Sequence, residues 1–144
     1  MAPPERVALR PLSETDREAL GPLLDRLPDG GATVFAIVRR EDGETVGALA
    51  HRRSGGWLVV EGVALTDAAR TAGYGADAVR LLERQAGEGG AVRRFGLAVP
   101  KSEGLALYAA LRLGYRPARP GDIRWRGGPR GDIIAMVRTP GGRD

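Results

Sequence analysis

The residues best suited to chemistry cluster in one part of the chain. Arg70, Gly73 and Gly75 fall in the run Arg70-Thr71-Ala72-Gly73-Tyr74-Gly75-Ala76, and Glu61 stands upstream in an otherwise apolar, β-branched stretch from Trp57 to Leu65. A helix that begins at a glycine run offers unpaired backbone N–H groups and a partial positive charge. Phosphate binds at such a terminus. Glycine has no Cβ, so an anion can approach the backbone closely, and arginine adds a fixed charge with several donors. The run therefore reads as a pyrophosphate cradle or as a tight strand-to-helix turn in which glycine relieves strain.

Other chemistries fit the residues less well. A Walker loop needs Gly-Lys-Ser/Thr, and the only lysine is Lys101. A dinucleotide fingerprint needs a third glycine where Ala78 stands, and it belongs near the start of a βαβ unit. The chain has no cysteine, which excludes disulfides and thiolate metal sites, and its single histidine, His51, argues against a histidine metal site. No metal is expected. His51 could face an acceptor and titrate near neutral pH, or sit as a satisfied or surface residue.

The elements around these residues follow from their periodicity. The stretch from Trp57 to Leu65 reads as a buried strand, and Val79, Leu82 and Ala86 recur at helical spacing after the glycine run. Residues 6–10 alternate as a first strand ended by Pro11. Ser13 and Asp16 resemble a helix cap pair, and Leu20, Leu23, Leu24 and Leu27 form a helical stripe broken at Gly21-Pro22. Two short helices or one kinked helix are expected there. Residues 33–39 and 45–52 read as strands joined by an Asp-Gly turn, and residues 54–56 turn into the central strand. The first four strands should form an antiparallel meander.

A strand over residues 94–99 follows the helix, so it should lie parallel to the central strand. Ser102 can cap a second helix through Leu105, Tyr108 and Leu111, ended at Gly114. A short strand begins at Tyr115, residues 121–131 form a loop carrying Trp125, and residues 133–138 make a last strand. Trp125 could cover an acceptor pocket or belong to a flexible basic loop.

Length and composition bound the rest. The 144 residues suit one domain, 1–144, with residues 139–144 as a flexible tail. Hydrophobic residues make up 42% and charged residues 28%, as in ordinary soluble globules. The net charge is +4, almost all of it arginine, spread along the chain without basic runs interleaved with aromatics. That suits an anionic small ligand better than nucleic acid. No apolar run spans a membrane and no signal-peptide core opens the chain, so a cytoplasmic location is expected.

The element order, taken with Arg70-x-x-Gly73-x-Gly75-Ala76, Leu65-Thr-Asp and Leu113-Gly-Tyr115, resembles the GNAT superfamily of acyl-CoA-dependent N-acetyltransferases over residues 6–137. The resemblance implies an α/β (α+β) fold: a mixed, largely antiparallel sheet flanked by helices, with a splayed parallel central pair. It implies acetyl-CoA as cosubstrate. The backbone of Thr71, Ala72, Gly73, Tyr74, Gly75 and Ala76, with Arg70, would hold the pyrophosphate, while the backbone of Val63 and Leu65 would pair with the pantetheine arm. Glu61 would be general base, because an acceptor amine must lose a proton before attacking a thioester.

The family's leaving-group tyrosine usually lies four residues before the Leu-Gly-Phe glycine, where this chain has Ala110; Tyr108 is two residues further back. The family's frequent asparagine would fall at Glu103. Tyr108 is retained as the candidate acid, against a purely packing role. The implied activity is transfer of acetyl to a primary amine of a small molecule or peptide by direct attack in a ternary complex. The alternative is a non-catalytic acyl-CoA-binding sensor. A homodimer would fit the family's habits.

Overall fold

The computed structural model describes residues 5–28, 31–70, 72–119 and 131–139. Its strands are β1 (Val7–Pro11), β2 (Thr33–Arg39), β3 (Thr45–Ser54), β4 (Trp57–Leu65), β5 (Arg94–Pro100), β6 (Arg116–Pro117) and β7 (Ile133–Arg138). They form one sheet in the order β1-β2-β3-β4-β5-β7-β6. All neighbours are antiparallel except β4 and β5. The helices are α1 (Glu14–Leu20), α2 (Tyr74–Gly87) and α3 (Gly104–Arg112), with 3-10 turns at Gly21–Arg26, Asp67–Ala69 and Glu88–Gly90.

Two apolar clusters flank the sheet. The larger includes Ile37, Leu49, Leu58, Val60, Leu82 and Met136, and α2 and α3 supply its cover with Leu81, Val79 and Ala110. The smaller joins Leu20 and Leu27 to Ala48, Ala50 and Ala64 on β3 and β4. The broken leucine stripe thus yields a short α-helix and a 3-10 turn, with Pro22 in the turn's first positions. Ser13 and Asp16 make a reciprocal capping box at the start of α1. Arg10 bonds Asp16 Oδ1 at 2.7 Å and Thr45 donates to the same oxygen at 2.8 Å.

Several boundaries differ from the sequence expectations. Pro11 is part of β1, where it lies opposite Phe35, and β3 runs on to Ser54. Ser102 does not cap α3. The Glu103 N–H bonds the Pro100 carbonyl and the Lys101 N–H bonds the Asp132 carbonyl, so a backbone turn fills this stretch and α3 starts after Glu103. Gly114, at φ +94°, closes α3 as expected. The loop over residues 121–131, Trp125 included, lies outside the described residues apart from Gly131.

Tyr115, after that glycine, is buried and donates its hydroxyl hydrogen bond to Glu83 on α2. Arg138 holds the other Glu83 oxygen at 2.6 Å. This ties α2 to the far half of the sheet. Burial, and then the Glu83 charge, push the Tyr115 phenol well above its usual value.

Candidate active site

β4 and β5 pair only from Trp57↔Arg94 to Val60↔Leu97. Past that point β4 continues with Glu61 to Leu65 against β3 alone, and β5 continues with Ala98 to Pro100 against β7 alone. The two strands therefore part in the middle of the sheet. Glu61 stands at the parting. The β3–β4 register passes from Ala50↔Gly62 to His51↔Val60, which leaves Glu61 as the extra residue of a β-bulge. Bulges re-aim a side chain out of the regular alternation.

The Glu61 side chain is 19% exposed and forms an ion pair with Arg52 Nε on β3. Its buried Oε1 makes no hydrogen bond of good geometry among the described residues, so the contact is one of charge. A Cβ on the adjacent Gly62 would meet Leu27 Cδ2 and Pro28 Cδ at 3.1 Å. The turn after α1 thus packs directly beside the parting.

At the end of β4 the chain passes through the Asp67–Ala69 turn and enters α2 at Gly73. Gly73 has φ +84° and no side-chain cap, so among the described residues the first N–H groups of α2 are left without a capping side chain. A Cβ at Gly73 would come within 3.1 Å of Arg6 Nη2. Gly75 also meets a packing demand. A Cβ there would meet Leu65 Cδ1 at 3.3 Å and Val63 Cγ1 at 3.6 Å. Its missing side chain lets the start of α2 sit tightly on β4.

Arg70 is half exposed and lies 3.8 Å from Asp67. Thr71 is outside the described residues. Ala72 lends its carbonyl to Arg6 Nη2 at 2.8 Å. Sequence reasoning missed Arg6. Its guanidinium also bonds Asp77 at 2.6 Å and stacks 4.8 Å from the Tyr74 ring. A second cation therefore borders the glycine run. It comes from β1, and no local spacing could have announced it.

Tyr108 lies on the face of α3 turned away from the core; it is 59% exposed, beside exposed Leu105 and Leu111. Its hydroxyl accepts a bond from Arg112 at 3.4 Å. His51 is neither exposed nor satisfied. It is 5% exposed, lies 4.8 Å from the Phe35 ring, and neither ring nitrogen has a partner among the described residues. Burial, then the nearby Arg53 charge, lower its pKa. Among the described residues no group of three or more His, Cys, Asp or Glu is placed to hold a metal ion. Nor is any helix there long and apolar enough to cross a membrane.

A parted parallel pair beside a glycine-opened helix is the arrangement that comparison with known families can place. The model of the acetyltransferase (GNAT) family matches residues 5–115, and the chain belongs to this family. No curated protein matches it. Among solved structures, it is similar to the ribosomal-protein-S18-alanine N-acetyltransferase of Escherichia coli, at 19% identity and TM-score 0.67, over 92% of this chain and 93% of that one. A GCN5-related N-acetyltransferase of Kribbella flavida matches at 19% identity and TM-score 0.67, over 95% and 99% of the two chains. A GNAT-family acetyltransferase of Bacillus anthracis matches at 14% identity and TM-score 0.69, over 94% and 95%. At these identities the likeness is one of fold.

Proposed function

We propose that this chain transfers an acetyl group from acetyl-CoA to a primary amine of a small molecule or peptide, with Glu61 as the general base. The observation that carries this reading is the parting of β4 and β5 after Val60↔Leu97, with the Glu61 carboxylate bulged out beside it. The N-terminus of α2 supplies backbone donors for a pyrophosphate, and Arg70 and Arg6 supply charge on either side. The backbone of Val63 and Leu65, facing a strand that has moved away, offers a ladder to the pantetheine amides.

The route is direct attack. The amine nitrogen bonds the thioester carbonyl carbon, its proton passes to Glu61 directly or through one water, and the C–S bond breaks to release thiolate. No cysteine exists to carry the acyl group. Tyr108 is the candidate donor of the thiol proton. A thiol pKa lies only moderately above neutral, so its contribution is small. The Escherichia coli fold neighbour is named for a ribosomal protein acceptor, which supports including peptide amines in the acceptor class.

The test is Glu61→Gln. Turnover of an amine with acetyl-CoA is expected to fall by about a hundredfold or more, with coenzyme binding retained. Tyr108→Phe should cost about tenfold. One observation favours a second reading, a domain that binds acyl-CoA without turning it over: Arg52 already occupies Glu61. In that case no amine stimulates thiol release, while acetyl-CoA still binds.

A further inference from the structure

A cleft of about 670 Å³ lies at the opposite end of α2 from Gly73, between the last turns of that helix and the edges of β5 and β7. Its lining includes Arg80, Glu83, Arg84, Arg93 and Arg138, with Phe95, whose ring Arg138 overlies at 5.3 Å. α2 has 14 residues, so this cleft and the glycine run are about 20 Å apart.

The charges there do not balance. Among the described residues Glu83 is the only carboxylate in the lining, and Tyr115 and Arg138 already occupy both of its oxygens. Glu5 answers Arg84. Asp77, one turn before Arg80, is held by Arg6. The side chains of Arg80 and Arg93 have no ion pair or hydrogen bond among the described residues. Arg138 Nε is buried without an acceptor, although buried donors are as a rule matched. Two guanidinium charges remain open in a lining that also includes the apolar Val92. The carbonyls at the end of α2 carry a partial negative charge and do not help an anion. Any anion bound there depends on the arginines.

We propose that this cleft is an anion-binding site, separate from the β4–β5 parting, for a small dianion carrying an apolar group, of the phosphomonoester class. A phosphate dianion matches the two open charges, arginine forks suit its oxygens, and the volume is that of a small-molecule pocket. The site does not depend on the transferase reading.

Phenyl phosphate is the probe, titrated into the whole chain at pH 7.5 and followed by amide NMR shifts. Saturable shifts centred on residues 87–93 are expected, weakened about tenfold or more in Arg80→Gln/Arg93→Gln and unchanged in Gly73→Asn. Benzoate, a monoanion with the same ring, should bind more weakly. Both arginines are exposed, so the double variant should melt at the wild-type temperature. The proposal is overturned by shifts centred on residues 72–76, by equal affinity in the double variant, or by no saturation up to concentrations on the order of 10 mM.

Discussion

Gly73 meets two demands at once. Its φ of +84° lies in the left-handed region that other residues rarely adopt, and the space where a Cβ would go faces Arg6. Gly73→Val should therefore abolish acetyl-CoA binding, with a loss of about a hundredfold or more by calorimetry, at some cost to stability. Gly73→Asn, which tolerates the left-handed conformation, should keep the fold and still weaken binding by pressing on Arg6. Unchanged affinity in both variants would show that the run is only a turn. At this scale types and spacing drew attention to Gly73, Arg70 and Glu61 as candidates, and the resemblance supplied the role proposed for Glu61. The sequence hid Arg6, which tertiary pairing of β1 brings to the site. It also left open the purpose of Gly75, whose missing side chain is explained by Val63 and Leu65 beneath it.

The first helix shows what an element owes to one buried carboxylate. Asp16 is 1% exposed and is held by Arg10, Thr45 and the Ser13 backbone. The Arg10 bond, followed by the Ser13 and Thr45 bonds against the cost of burial, keeps its carboxyl well below the usual range. A depressed acid contributes stability above its unfolded pKa, near pH 4, and that stability is lost as pH falls further. Asp16→Asn is expected to lower the urea midpoint at pH 7 by an amount equivalent to about 2 kcal/mol, with a smaller gap at pH 3. A gap that stays constant with pH would refute the linkage. Element bounds were readable where periodicity was strong: residues 33–39, Trp57–Leu65 and 133–138 are strands as expected. Ser102 misled because backbone bonds around Pro100 compete for the same turn.

For the molecule as a whole, the parallel β4–β5 pair followed from the strand–helix–strand order, but the insertion of β7 between β5 and β6 did not. Handedness restricts a crossover; nothing local to Ile133–Arg138 names its neighbours. Folding also buries His51 against the Phe35 ring, on a strand position paired with Val60. Its lowered pKa means the unfolded chain binds the proton more readily, so stability present above about pH 6.5 is eroded as pH drops below it. The slope from this group is at most about 1.4 kcal/mol per pH unit. His51→Phe should flatten denaturation midpoints measured between pH 7 and pH 5; an undiminished slope would assign it to other groups. The parting after Val60 and Leu97 has one more consequence. It opens two raw strand edges in the interior of a sheet, a hazard that sheet proteins normally keep to their margins. If coenzyme fills that seam, as the proposed function has it, both edges are capped, and adding acetyl-CoA should suppress clumping of the warmed protein at temperatures well below its melting point, coupling the supply of cosubstrate to the chain's survival in solution.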